Sequence, residues 1–208
     1  MYQPPQFNSS DPAIAAELMR AHPLASLIST DDTGFPCVSH LPLHLQGEAG
    51  AWVLLGHCAR ANPHWQHLAQ RPAALVTFMG PHGFLSPKIY PDLKRVPSWN
   101  YLAVHCRVTA KLIDEAPGKD SLLKKLIADH EPAYAAQWRG LGEVYQNQML
   151  GNIVGFELTV TDLQCTIKLN QHRPQSHAAM KAGYAAGNSQ EQALAQWMNR
   201  LGLGTNQP

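Results

Sequence analysis

Ala51-Trp52-Val53-Leu54-Leu55-Gly56-His57-Cys58-Ala59-Arg60-Ala61-Asn62-Pro63-His64-Trp65 is the stretch on which the reading of this chain turns. Its first part is short, apolar and rich in branched and aromatic residues, which predicts a buried strand. Asn62 is a good helix N-cap, and Pro63 suits the first helical position. A strand therefore ends, an arginine follows, and a helix begins. Helix N-termini carry free N–H groups and partial positive charge that attract anions. Arg60 adds a planar donor fork that matches phosphate oxygens. Two readings fit residues 57–62: a phosphate site, or a surface arginine beside an ordinary capped helix.

The flanks supply more strands. Upstream, Asp11 and Pro12 open a helix with Ile14, Leu18 and Met19 on one stripe. Leu24 to Ser29 reads as a strand, and Asp31-Asp32-Thr33-Gly34 as a turn. Phe35 to Leu45 reads as a returning strand that Pro36 and Pro42 make an edge or bent one. Gly47 to Gly50 turns the chain into the strand at 51–57, so a three-strand antiparallel meander is predicted. Downstream, a short helix ends near Arg71-Pro72. Ala73 to Met79 is a strand, Gly80-Pro81-His82-Gly83 a turn, and Phe84 to Ser86 another extended piece.

Residues 87–97 hold Pro87, Pro91 and Pro97 with Lys88, Lys94 and Arg95, and read as a loop. Trp99 to Leu112 has strand composition, Lys119 to His130 is an amphipathic helix, and residues 132–150 are irregularly helical. Ile153 to Ile167 is a long strand or a hairpin. Pro174 to Ala182 and Gln190 to Leu201 are terminal helices, with a frayed tail after Gly202. The whole is of the α+β class: antiparallel strands dominate 24–112, and helices decorate the edges. A closed or partly open barrel would remove the exposed edges of such a sheet.

Composition narrows the function. The chain has 208 residues, of which 15% are charged; the net charge is +1 and the isoelectric point about 7.8. No basic face for nucleic acid stands out. No segment reaches the ~20 apolar residues of a membrane span. Met1-Tyr2-Gln3-Pro4-Pro5 lacks the regions of a signal peptide, so a cytoplasmic protein is expected. Cys37, Cys58, Cys106 and Cys165 form no Cys-x-x-Cys pair, and buried packing in a reducing compartment is expected. His40, His44 and His57 form a conceivable metal cluster. No carboxylate or cysteine stands at ligand spacing beside them, so no metal is expected.

Four further stretches carry polar groups among strands, each with an ordinary structural reading beside the functional one. His40, in Val38-Ser39-His40-Leu41-Pro42, is a ligand donor or a packed histidine. Ser86 and Lys88 are phosphate binders or parts of a loop. Trp99, Asn100 and Tyr101 offer stacking surface and an amide for a planar heteroaromatic ligand, or core aromatics at a strand start. Lys168-Leu169-Asn170-Gln171-His172-Arg173 gathers cations and amides within reach of a phosphate, or is a solvated loop. His64 and His67 receive no role.

Together and in this order, these pieces resemble the PaiB-type FMN-binding negative transcriptional regulators. The resemblance is carried by His57-x-Ala59-Arg60-x-Asn62-Pro63-x-Trp65, Gly80 to Pro87, Val96 to Tyr101, and Lys168 to Gln171. The opening Met1-Tyr2-x-Pro4 and Ser39-His40-Leu41-Pro42 agree with it. It implies a split β-barrel related to pyridoxamine phosphate oxidase, dimeric, with FMN at the subunit interface. It implies one domain over 1–208 with a helical extension from about 172–208. Carried over, Arg60 and Lys88 are the phosphate cations, with His57 and Ser86 near the phosphate or ribityl chain. Asn62 and His40 belong to the same set. Trp99, Asn100 and Tyr101 lie along the flavin or the dimer seam, and Lys168 and Gln171 close the site. Lys88-Ile89 departs from the family's usual small or aromatic pair before Tyr90.

The resemblance implies a regulator, with DNA as a partner that the balanced charge does not by itself support. The alternative is a flavin-dependent oxidoreductase, in which FMN supplies the redox chemistry and the protein positions it. A haem-binding barrel with His40, His57 or a C-terminal histidine as axial ligand is a third reading.

Overall fold

In the computed structural model, which describes residues 1–92 and 94–204, proline helps decide how the strands are shared out. Strand β1 is a short piece, Asn8–Ser9, after a 3-10 turn at Pro5–Phe7, where an extended segment was predicted. Helix α1 spans Pro12–Ala21, with the Asp11 carboxylate accepting from the Ala13 N–H at 2.8 Å. Strand β2 is Leu24–Thr30 and β3 is Pro36–Pro42; they form a hairpin in which Ser26 faces His40. Then the predicted meander breaks. Strand β4, His44–Gln46, pairs only with β5, Val53–Ala59, with His44 opposite Leu55. Pro42 has no N–H to continue the ladder, and the Leu43 N–H instead donates to the Pro23 carbonyl.

Helix α2 follows at His64–Gln70, and β6 spans Ala73–Leu85 without interruption. The turn predicted at Gly80 to Gly83 is therefore strand. Neither glycine has positive φ. Gly80 answers to packing: a Cβ there would stand 3.1 Å from the Leu102 carbonyl oxygen. Strand β7 is Ser98–Ile113. Helices α3 (Ala116–His130), α4 (Tyr134–Gly140) and α5 (Glu143–Gly151) precede β8, a single strand over Ile153–Lys168. Helices α6 (His177–Ala185) and α7 (Ser189–Arg200) end the described chain, and α7 carries a capping box from Asn188 and Glu191. Of the tail expected to fray, residues 205–208 lie outside the described residues.

The strand order is β3-β2-β6-β7-β8-β5-β4, with β1 paired to β8. β3 thus lies at one edge, as its prolines predict. The chain divides into two compact units, one of residues 1–18, 79–104 and 164 onward, the other of 19–78 and 105–163. The first buries Leu18, Leu102, Leu169, Met180 and Leu194. The second buries Leu27, Leu54, Phe78, Phe156 and Leu158, and seats α3 on the sheet through Leu122 and Leu126 against Leu55 and Ile113. Cys58, Cys106 and Cys165 are buried and Cys37 is half-buried; none is bridged. No helix among the described residues is long and apolar enough to cross a membrane.

Candidate functional site

In the second unit the chain leaves β5 at Ala59, and Arg60 sits at the strand's end. The Arg60 N–H donates to the Asn152 carbonyl at 2.8 Å. Its guanidinium is engaged on four sides: Nε with the Gly151 carbonyl, Nη1 and Nη2 with both Asp114 oxygens, and Nη2 with the Ile153 carbonyl. One of its five N–H groups remains. The plane lies over Trp65, 5.8 Å from the ring centre. The Lys119 ammonium, almost fully buried, reaches Asp114 at 3.2 Å. Two cations around one carboxylate leave the cluster with one net positive charge. The Arg60 hydrogen bond first, and the Lys119 bond after it, hold the Asp114 carboxyl below its ordinary 3.8.

Asn62 Oδ1 accepts from the His64 N–H at 3.0 Å, but α2 begins one residue later than expected, so Pro63 rather than Asn62 stands at its N-cap. Asn62 Nδ2 donates to Ser39 Oγ at 3.0 Å. His64, which received no role from sequence, is 1% exposed and bridges two buried serines. Its Nδ1 lies 2.8 Å from Ser39 Oγ and its Nε2 2.9 Å from Ser29 Oγ. Ser39 already accepts from Asn62, so the network is consistent with Ser39 donating to Nδ1 and Nε2–H donating to Ser29. Burial, then the neighbouring His67, pushes the His64 pKa down.

His57 stands in β5 opposite Gly155, half-buried, and its Nδ1 is buried with no hydrogen-bond partner. Burial lowers its pKa, so the ring is neutral at pH 7. His40 is exposed and meets Ser26 Oγ at 3.1 Å. His44 pairs with Asp129. Among the described residues no three His, Cys, Asp or Glu side chains converge as a metal site.

The first unit gathers the other candidates. Ser86 Oγ accepts from the Lys88 N–H and caps a 3-10 turn; the Lys88 side chain is exposed. Trp99 is half-exposed and forms an aromatic face with Phe84 and His82, its Nε1 donating to His82 Nδ1 at 3.3 Å. Asn100 is 1% exposed, and its amide donates to Tyr184 Oη at 3.0 Å and Met180 Sδ at 3.1 Å, tying β7 to α6. Burial pushes the Tyr184 hydroxyl up to about 12. Lys168 donates to Ser98 Oγ at 3.1 Å and lies 5.9 Å from the Tyr101 ring centre. Gln171 closes a local turn, accepting from the Leu169 N–H and donating to the Ile167 carbonyl.

Asp114, Lys119 and the Ser29–His64–Ser39 bridge are the participants that sequence missed. Asp114 stands 54 positions from Arg60, and no periodicity links them. His64 alone carried a signal, since it directly follows the Asn62-Pro63 pair.

Residues 1–162 match the family described as "Putative FMN-binding domain". The chain is similar to "Protease synthase and sporulation protein PAI 2" of Bacillus subtilis, with 29% identity across 85% of this chain and 84% of the relative. Among solved structures it is similar to the flavocytochrome Anf3 from Azotobacter vinelandii, with a TM-score of 0.60, 18% identity, and coverage of 79% of this chain and 70% of that one. It is also similar to an FAD and heme binding protein from Mycobacterium smegmatis, with a TM-score of 0.57, 19% identity, and coverage of 78% and 74%. The two structural likenesses are likenesses of fold. The chain is α+β with the antiparallel split-barrel architecture that the resemblance implies.

Proposed function

The chain belongs to the FMN-binding domain family and FMN is its cofactor; from that premise we propose that the turn after β5 grips the flavin phosphate in a homodimeric, cytoplasmic regulatory protein of the PaiB type. The observation that carries this reading is the family match itself, which contains the whole of residues 57–62. The chemistry of that turn supports it. The Arg60–Asp114–Lys119 cluster keeps one net positive charge, Arg60 keeps one free N–H, and His57 Nδ1 has no partner. When bound, FMN supplies electron or hydride chemistry, or a spectroscopically visible signal. The protein's part is to hold a dianion with a fixed cation and neutral donors. We propose residues 1–208 as one functional domain, with a helical extension from about 172 to 208.

Flavin binding has a direct test. Purified protein should carry the absorption bands of oxidised flavin, and should prefer FMN over riboflavin, which lacks the phosphate. Arg60→Ala should shrink that preference by at least about tenfold, the loss of one charge-assisted contact. An unchanged FMN-to-riboflavin ratio would remove Arg60 from the phosphate site. Because the same variant loosens Asp114, the ratio, rather than the FMN affinity alone, is the readout.

Regulation rests on similarity to PAI 2 and on the family resemblance. Net charge is only +1, so DNA contact needs a basic face assembled by two copies or by a partner protein. Upstream DNA should be retarded by micromolar protein, with a band that weakens steeply as salt rises. A missing band would end direct repression, and rapid bleaching of the flavin by NADH or NADPH would favour the oxidoreductase.

A further inference from the structure

The first unit contains a cavity of about 350 Å3 that the Arg60 phosphate reading does not use; of the residues the resemblance assigns to the flavin, Asn100 and Lys168 line it. Four cations line it, Lys94, Arg95, Lys168 and Arg173, and no Asp or Glu does. That is a quarter of the 16 lysines and arginines of a chain whose net charge is only +1. One carboxylate stands beside it: Asp92 pairs with Arg95 at 3.0 Å. Three charges remain unmatched, which suits a dianion better than a carboxylate.

Three of the cations are held: Lys168 donates to Ser98 Oγ, and the two arginines stack. Arg95 and Arg173 both lie over the Tyr90 ring, at 5.4 and 5.6 Å from its centre. Tyr90 is itself fixed, its Oη accepting from Asn170 Nδ2 at 2.9 Å. Asn170 is 5% exposed, and with a φ of 60° it is the one non-glycine residue with positive φ among the described residues. Its carbonyl is bonded to His177 Nε2 at 3.0 Å, and its amide also donates to Ser176 Oγ. A left-handed backbone held this firmly points a buried amide at Tyr90, a pattern that clusters at ligand sites. The buried Arg95 Nε, finally, has no hydrogen-bond partner. The Arg95 guanidinium thus reaches Asp92 and the Lys94 carbonyl with its outer nitrogens, and the unmatched charge of the cavity rests on Lys94, Lys168 and Arg173.

We infer that this cavity binds the phosphate group of a small phosphomonoester other than the flavin, gripped by the Arg95 and Arg173 forks and the Lys168 ammonium. The volume lies at the low end of the ~300–1,000 Å3 range of ligand pockets. A one-ring or sugar phosphate suits it better than a tricyclic ring with its ribityl chain.

Titration calorimetry of the FMN-loaded protein tests the inference, with phenyl phosphate, inorganic phosphate and benzoate as probes. Phenyl phosphate should bind saturably at one per chain, at least tenfold tighter than benzoate, and more weakly as salt is raised. Arg173→Gln and Arg95→Gln should each weaken it at least tenfold while leaving the FMN content and the FMN-to-riboflavin ratio unchanged. A thermal melt establishes that each variant is folded, and either folded variant suffices. No saturable binding to wild type overturns the inference. So does binding that neither substitution weakens. Loss of FMN in both variants also overturns it, because the cavity would then hold the flavin's own phosphate. If the purified chain carries no flavin, the flavin reading fails by itself, and the same titration still decides the cavity.

Discussion

His64→Leu should destabilise the protein by about 3 kcal/mol, the cost of stranding buried polar groups and removing a buried ring. The imidazole is 1% exposed and bridges Ser29 and Ser39, themselves 5% and 8% exposed. It therefore joins β2 to β3 and, through Ser39 and Asn62, both strands to the turn that carries Arg60. Leucine fills much of the volume but leaves two hydroxyls with nothing to bond. For a chain of this size the melting temperature should fall by roughly 6–12 °C. The triple variant Ser29→Ala, Ser39→Ala, His64→Leu should recover part of that loss, since removing all partners together is nearly neutral where removing one is not. A triple variant less stable than His64→Leu would show that packing, not orphaned hydroxyls, sets the cost.

The same bridge has a pH signature. Burial, and then His67, hold the His64 pKa below 6.5, so the folded state prefers the neutral ring. The unfolded chain takes up the proton more readily. Stability from this group is therefore complete above pH 6.5 and is lost as the pH falls below it. The gap between wild type and His64→Leu should narrow between pH 7 and pH 5. A constant gap would mean that the ring never prefers neutrality.

Much of the local architecture could be read before any coordinates. Asn62-Pro63 announces a helix because capping and the fixed proline φ are local chemistry. Asp11-Pro12 does so for the same reason. Where reading failed, distant parts of the chain had decided the outcome. Gly80 and Gly83 look like turn residues, yet both lie inside β6, where a Cβ would press on Leu18 and Leu102 at Gly80 and on the Glu191 and Leu194 side chains at Gly83. Pro42 announces that pairing stops but not that β4 will pair with β5 at the far edge of the sheet. The candidate site divides in the same way. Arg60 and His57 are visible as types in a motif. The partner that engages most of the Arg60 fork, Asp114, lies far along the chain at the end of β7. Lys94 and Arg95 looked like loop charges and Arg173 like part of a separate cationic stretch, and only the fold brings them to one cavity.

Asp114→Ala should cost about 2 kcal/mol, below the roughly 3–5 kcal/mol of breaking a fully buried ion pair because the carboxylate is half-exposed. The cost arises at Lys119. Its side chain is 5% exposed and bonds Asp114 at 3.2 Å; without that partner only the Ile153 carbonyl at 3.4 Å remains for a buried ammonium. Lys119→Met in the same background removes the stranded charge and keeps an apolar stem, so the double variant should lie within about 1 kcal/mol of wild type. The pH dependence follows from the depressed carboxyl pKa, set first by the Arg60 bond and then by Lys119. A carboxylate that the folded state holds ionised stabilises above its unfolded pKa of 3.8, and that stabilisation is lost as the pH falls through the lower folded value. Wild type should thus lose its advantage over Asp114→Ala in acid, and nowhere between pH 5 and pH 8. Denaturant melts from pH 8 down to about pH 3 decide the point. If the single and double variants prove equally unstable, Asp114 acts through Arg60 and the loop at Gly151 rather than by neutralising Lys119.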